Sequence, residues 1–441
     1  MTGGPIRPSA FATAEEIIIS RARREPHRPA LGWRDRMILL GRLAAHVESR
    51  AGAFAESLPR GAVVAQLMAD TPGLVGTTLA AWRQGATVVP LDPILETDAI
   101  AARLEQSSVD ALVAHEEFVE AAGAALRACG SRALLVVSRG LRLIDAGRPG
   151  RGATGRGDRR VVDLAGRRRA RPSAAASGAV ARVNEVAFHA YLPEATGRPR
   201  AALLTHANVV SSALRIGIAR GDGNDDVALA TGRLSEVSTL VAEVLSRLLS
   251  GGSVVLLGSG GAAAVVERIE AHRVTDVSLS AEVASGLVES PSPKRRAIRS
   301  VRKVLLREPS LALTVKRELG DRFPAAELLQ TWSRVEATDG LATARQGAVF
   351  RKPDTLGTPH PGLVVGVVDP EGRMLRPGET GEIVCRGAVL MRGYLDAPAA
   401  TREVLRDGWL HTGDLGYIDG DGDLALSGGR PTSRRRSGTT D

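Results

Sequence analysis

Cysteine, lysine, aromatic residues and long apolar runs are all scarce in this chain, and each scarcity removes a class of protein. Of 441 residues only two are cysteine, Cys129 and Cys385. They lie too far apart in sequence for a disulfide framework or a metal knuckle. The eight histidines are scattered and give no metal-ligand spacing. No run of about 18 apolar residues occurs, so no membrane span is expected. The opening MTGGPIRPSAFATAEEIIISRARREP lacks the apolar core of a signal peptide, and a cytoplasmic protein is the expectation. Lysine occurs only at Lys294, Lys303, Lys316 and Lys352, yet Lys+Arg number 58 against 49 Asp+Glu, a net charge of +9. The cations are therefore almost all arginine. Abundant Arg, Ala and Gly with scarce Lys fits a GC-rich coding sequence better than a basic binding surface, so no nucleic-acid partner is expected.

What is present is an ordinary globular composition, 44% hydrophobic and 24% charged. The length is enough for two or three domains. Val63–Leu67 reads as a strand, Leu74–Gln84 as a helix, Ala86–Pro90 as a strand, Asp98–Gln106 as a helix and Ala111–Ala114 as a strand. A similar succession returns later, with helical Leu240–Leu249, a strand at Ser253–Leu257, helical Ala263–Ala271 and a strand at Asp276–Leu279. Such alternation implies βαβ units and a mainly parallel sheet. After residue 350 the texture changes to short strands with Gly and Pro turns, as at Leu363–Val368 and Gly381–Arg386, which reads as a small β-barrel subdomain. The expectation is an α/β chain with a first subdomain at 1–185, a second at 186–345 and a β-rich one at 346–430. Gly147–Gly178, rich in Gly, Arg, Ser and Ala, reads as a solvated linker, with a contact site for an acidic partner as the alternative.

The stretch Tyr191–Asn208, YLPEATGRPRAALLTHAN, has the frame of a phosphate-cradling loop. Such a loop offers backbone N–H groups, short hydroxyls and glycines to an anion. Thr196, Gly197 and the cation Arg200 fit that chemistry. Pro193 removes a donor, and Glu194 puts a negative charge where a phosphate would sit. Two unit charges about 4 Å apart interact by ~4 kcal/mol at an effective dielectric near 20. The loop suggests both an ancestry and a loss.

Three further segments carry chemistry. In GWLHTGDLGYIDGDGD, Gly408–Asp423, Asp414 sits in a tight turn where a carboxylate accepts hydrogen bonds from vicinal ribose hydroxyls or simply caps the turn. Asp419, Asp421 and Asp423 begin like a calcium loop, but Leu424 and Arg430 stand where that loop needs Gly and Glu, so this reads as a hairpin turn. In QTWSRVE, Gln330–Glu336, Trp332 can stack on a purine and Glu336 can ligate Mg²⁺; packing and capping fit them equally well. Gly258–Ala263 fits G-x-G-x-x-A, with Asp276 further on as a ribose acid for a dinucleotide.

Taken in order, these pieces resemble the AMP-forming acyl-CoA synthetase and fatty-acyl-AMP ligase superfamily almost end to end. Val63–Ala114 is similar to that family's N-terminal region. Tyr191, Thr196, Gly197, Pro199, Thr205, His206 and Asn208 match its phosphate loop, Y-T-S-G-T-T-G-x-P-K-G-V followed by T-H-x-N, and Arg200 stands for the loop lysine. Leu249–Leu257 with His272–Leu279 resembles its second sheet, which displaces the dinucleotide reading. Gly378–Tyr394 and Gly408–Asp423 match strongly. The resemblance implies the large N-terminal domain of adenylate-forming enzymes, with ATP or AMP, Mg²⁺ and CoA as cofactors and a carboxylic or fatty acid as substrate. It assigns Thr196, Gly197 and Arg200 to the phosphates, Trp332 to adenine, Glu336 to Mg²⁺, and Asp414 with Arg430 to the ribose.

The departures cluster on the chemistry. Leu192–Ala195 replaces the hydroxyl- and glycine-rich half of the loop, and Ser333 and Val335 replace the Gly and Thr of the aromatic-Gly-x-Thr-Glu motif. Arg307 and Glu308 stand where the family has a glycine-rich turn beside the adenine. Leu234–Ser238 lacks the histidine often found near the acyl pocket. Ser433 falls at the hinge Asp, residues 431–441 read as a disordered tail, and the family's small C-terminal domain with its catalytic lysine has no counterpart in this sequence. The expected function is a family ligase with lost or severely reduced catalysis. The alternatives are a pseudoenzyme binding an acyl chain, AMP or a partner protein, and an active acyl-AMP ligase completed in trans.

Overall fold

The computed structural model describes residues 12–138, 162–163, 183–192, 199–258, 260–290, 298–307, 311–352 and 354–427. In chain order the strands are β1 (Pro29–Trp33), β2 (Arg36–Leu39), β3 (Val63–Leu67), β4 (Thr87–Leu91), β5 (Ala111–His115), β6 (Leu134–Ser138), β7 (Val162–Asp163), β8 (Val186–Tyr191) and β9 (Ala201–Thr205). They continue with β10 (Val227–Ala230), β11 (Ser253–Leu256), β12 (Asp276–Leu279), β13 (Lys303–Leu306), β14 (Glu327–Trp332) and β15 (Ala342–Arg345). The β-rich end holds β16 (Thr355–Pro359), β17 (Val364–Val368), β18 (Gly381–Arg386), β19 (Leu405–Arg406), β20 (Trp409–Ile418) and β21 (Leu424–Leu426).

Two sheets result. The first runs β7-β6-β5-β3-β4-β8-β9 and is parallel except for the β8–β9 hairpin. The second runs β17-β18-β20-β21-β16-β15-β14-β13-β12-β10-β11-β1-β2, parallel from β14 to β1 and antiparallel beyond. The β-rich segment is thus hydrogen-bonded to the second sheet through β16. This is the α/β architecture expected. The sheets do not divide at residues 185 and 186, however. β8 and β9 complete the first sheet, while β1 and β2 add an edge to the second. Strand pattern alone carries no record of which sheet a strand joins, because that depends on long-range pairing. Of the 147–178 linker only Val162–Asp163 lies within the described residues, as a short strand pairing with β6.

Local signals explain the elements that position the site. The helix Pro72–Gln84 opens with Pro at its first turn and closes on Gly85 at φ +83. β5 is buried along its whole length, as a parallel strand covered on both faces must be. Trp82 joins the layers: its indole N–H donates to the Ala187 carbonyl at 3.0 Å, and its ring meets Phe188 and His206 edge-on at 4.9 and 5.3 Å.

Candidate functional site: the junction of the two sheets

The segment after the phosphate-loop frame enters the helix His206–Arg220 through a reciprocal cap. The Thr205 hydroxyl accepts from the Asn208 N–H at 3.2 Å, and Asn208 Oδ1 accepts from the Thr205 N–H at 2.8 Å. Asn208 Nδ2 also donates to the Ala388 carbonyl at 2.8 Å, tying this helix to the β-rich segment. His206 is buried against Trp82, and burial pushes its pKa down to about 4, so it is neutral. These motif residues therefore support the frame. Thr196, Gly197, Pro193, Glu194 and Arg430 lie outside the described residues, as do Glu308 and Ser433.

At the mouth of the second sheet, β14 ends in Trp332 and a single turn of 3₁₀ helix carries Glu336. The Tyr394 hydroxyl donates to Glu336 Oε1 at 2.7 Å, and the Met391 N–H donates to the Glu336 carbonyl at 2.7 Å. The Arg200 guanidinium lies 5.8 Å from the centre of the Tyr394 ring. Burial, then the Glu336 charge and hydrogen bond, raises the Tyr394 pKa far above the ordinary phenol value, which keeps it a donor. The structure thus brings together Arg200 and Glu336, and adds Tyr394 between them. Tyr394 closes the motif Gly378–Tyr394, which was the one signal that pointed to it.

Trp332 and Asp414 also meet, but face each other. Trp332 is only 2% exposed and packs with Leu341, Leu356 and Leu410. Its indole N–H donates to Asp414 Oδ2 at 3.2 Å. Arg334 Nε donates to the same oxygen at 3.2 Å, and Arg334 Nη2 closes an ion pair on Oδ1. Asp414 is 1% exposed. A carboxylate whose two oxygens are both engaged by an arginine and an indole has little left for ribose hydroxyls. Asp414 is thus engaged on both oxygens in this arrangement, whereas Glu336 has the chemistry of a Mg²⁺ ligand. Arg334 was missed because it occupies the unspecified position of the aromatic-Gly-x-Thr-Glu motif. Only the alternation of QTWSRVE, which sets it two residues from both Trp332 and Glu336, gave a hint.

Beside Trp332 a cavity of about 100 Å³ opens between the helix at Thr239–Leu245 and the C-terminal ends of β12, β13 and β14. That helix is wound as π-helix, a rare form frequent at functional sites. Arg307 reaches into the space: Nη1 donates to Glu243 Oε1 at 2.6 Å and to the Thr239 hydroxyl at 2.8 Å, and Nη2 donates to Glu236 at 3.1 Å. A Cβ on Gly232 would collide with this guanidinium. Asp339 projects from a turn in which Thr338, Asp339 and Gly340 all have positive φ, at 52°, 64° and 63°. Burial raises its carboxyl pKa above the usual range, against the Ser333 hydroxyl bond and the Arg307 charge.

Two other sequence candidates settle into structural roles. Asp276 lies at the opposite end of β12 in a buried ionic cluster, 3.4 Å from Arg247 and 3.3 Å from Lys303, with Asp222 and Asp226 completing it. Asp419, Asp421 and Asp423 form the β20–β21 turn, and Lys352 Nζ sits among them at 2.7, 2.6 and 3.2 Å. Among the described residues no helix is long and apolar enough to cross a membrane.

The family model for AMP-binding enzymes matches residues 19–395. The chain belongs to the AMP-binding enzyme family. Feruloyl-CoA synthase from Amycolatopsis sp is 28% identical over 421 residues, spanning 93% of this chain and 79% of the relative. 4-Coumarate–CoA ligase 5 from Oryza sativa subsp. japonica is 27% identical over 391 residues, 85% of this chain and 68% of the relative. The structure of O-succinylbenzoate coenzyme A synthetase from Bacillus subtilis in complex with AMP superposes with a TM-score of 0.76 at 22% identity, covering 94% of this chain and 78% of that one. The family and fold expected from the motifs are thus established, and the family's activity is AMP-forming acyl-CoA ligation with ATP, Mg²⁺ and CoA.

Proposed function

We propose that this chain is an acid–thiol ligase of the AMP-binding family in which carboxylate adenylation is lost or severely reduced. The carrying observation is Asp414, the position assigned to ribose, held on both oxygens by Arg334 and Trp332. Pro193 and Glu194 in the phosphate loop support the same reading from sequence. Adenylation needs the charge developing on the transferred phosphate to be neutralised by cations and Mg²⁺. On this reading Glu336 would hold the metal and Arg200 a phosphate, while the loop and the ribose end are altered. Mg²⁺, when bound, supplies the Lewis acidity. The chain's own contribution is then Glu336 positioned by the Tyr394 hydroxyl.

The test is carboxylate-dependent ATP–pyrophosphate exchange across fatty, aryl and small polar acids. The expected result is no exchange. Turnover within the ordinary enzyme range, about 1–10³ per second, overturns the proposal and favours an active ligase, alone or completed in trans. A binding pseudoenzyme is the second reading, favoured by the cavity between the helix at Thr239–Leu245 and β12–β14.

A further inference from the structure

We infer that the cavity beside Trp332 takes a small carboxylic acid bearing an ammonium group, and rejects aryl and fatty acids. This rests on reading that cavity as the acid side of the adenylate-forming fold. Size is the first argument. About 100 Å³ accommodates only a few heavy atoms, whereas pockets for larger organic ligands run to roughly 300–1,000 Å³. Arg307 sets this limit, because its guanidinium fills the space a glycine-rich turn would leave open and is held there by Glu236, Glu243 and Thr239.

Lining chemistry is the second argument. Ser278, Thr331, Ser333, Glu243 and Asp339 present hydroxyls and carboxylates to the cavity. An aromatic ring or acyl chain would offer no hydrogen bond to the one group here without a partner, the Ser278 hydroxyl, at a cost of roughly 1–3 kcal/mol. The Ser278 hydroxyl is 93% buried and has no hydrogen-bond partner in the structure, so it asks for one from a ligand.

Charge is the third. Glu243 is satisfied, with Oε1 on Arg307 and Oε2 accepting from the Thr231 N–H at 3.2 Å. Arg220, the other cation on the wall, is paired with Asp222 at 2.7 Å. Asp339 is left with only the Ser333 hydroxyl and a more distant Arg307, and no side-chain ion pair within 4 Å of it is found among the described residues. Arg307 is already shared by Glu236 and Glu243, which leaves Asp339 as the wall carboxylate that a ligand cation would partner. An ammonium placed against Asp339 gives that carboxylate a local partner and Ser278 a donor, while the place of the ligand's carboxylate follows from the acid-side reading on which this inference rests. The strained turn Thr338–Gly340 is consistent with a residue held for a ligand.

The test is titration calorimetry on the full chain with β-alanine, propionate, ferulate and, separately, AMP. β-Alanine should bind measurably, propionate at least tenfold more weakly, and ferulate not at all. Asp339→Asn should weaken β-alanine at least tenfold. Should that variant not fold, Ser278→Ala replaces it, with an expected loss of about threefold or more. Ferulate binding tighter than β-alanine, no heat from β-alanine, or unchanged affinity in the folded variants would overturn the inference. The AMP arm reads the nucleotide side alone, and exchange activity with any acid overturns the loss of adenylation without touching which acid the cavity prefers.

Discussion

The helix frame around Thr205–Asn208 and the ligand face around Trp332–Asp414 come from one family pattern and have fared differently. In the frame every matched residue has a structural partner of its own: Thr205 and Asn208 cap each other, Asn208 reaches Ala388, and His206 packs on Trp82. On the ligand face the matched residues are partnered by residues that the pattern does not specify. Arg334 covers Asp414, and Arg307 reaches into the cavity between the helix at 239–245 and β12–β14. A side chain that holds two elements together is missed as soon as it changes, because a buried donor or acceptor is orphaned. A side chain that waits for a ligand can be covered without harm to the fold. The contrast therefore separates side chains tied into the fold from side chains that face a ligand.

The frame should break hardest at Trp82. Trp82→Ala removes the largest buried side chain at the layer junction and orphans the Ala187 carbonyl. A loss of about 3–5 kcal/mol is expected in denaturant unfolding, with AMP affinity of the remaining folded fraction unchanged. A loss under about 1 kcal/mol would mean the frame is not what keeps these residues.

Glu15 is the frame's ill-fitting member. It is 1% exposed, Oε1 accepts from the Thr13 hydroxyl at 2.5 Å, and Oε2 has no hydrogen-bond partner in the structure. Burial raises its pKa from 4.5 to about 7, only partly offset by the Thr13 bond. The native state thus holds a proton that the unfolded chain releases first. Stability is fully present below about pH 4.5 and falls as pH rises to about 7, by ~3 kcal/mol in all for a shift of 7 − 4.5 = 2.5 units. Glu15→Gln should flatten that slope and be the more stable protein at pH 8. An unchanged slope would place the loss elsewhere.

On the ligand face the effect should be a gain. Arg334→Met releases Asp414, and AMP should bind about tenfold more tightly, ~1.4 kcal/mol. The same variant should lose stability, since Asp414 then keeps a buried charge beside Trp332 alone of those two partners. Calorimetry with AMP decides it, and unchanged affinity would mean that Arg334 does not compete with ribose.

The same contrast governs what was legible beforehand. The strands at Val63–Leu67, Asp276–Leu279 and Gly381–Arg386 coincide with the reading from pattern alone, and the helix Pro72–Gln84 differs from it only in its first turn. These elements are fixed by local periodicity and by Pro72 and Gly85. Membership of β1, β2, β8 and β9 in their sheets was not legible, because pairing partners lie far away in the chain. At the site, Glu336 with Arg200 could be named from motif positions. The pairing of Trp332 with Asp414 could not, nor could the roles of Arg334 and Asp339, and Tyr394 could be named only as the end of the motif Gly378–Tyr394. Their roles come from side chains of distant segments meeting, such as β14 against β20 and the 338–340 turn against the helix at 239–245. Substitutions at Pro193, Glu194 and Arg307 signalled that the face had changed without indicating what had moved into it.

The smallest effect sharpens the comparison most. Asn208→Ala removes the N3 half of the cap and the link to Ala388, while leaving the Thr205 hydroxyl bonded to the residue-208 N–H. The loss should be about 1 kcal/mol, the net worth of such a bond, because solvent can reach the cap while the Ala388 carbonyl is left to find another donor. AMP and β-alanine affinities should not change. If instead the stability cost is negligible and AMP binding weakens several-fold, Asn208 belongs to the ligand face. The division between kept frame and covered face would then run through the helix His206–Arg220 and not at its entrance.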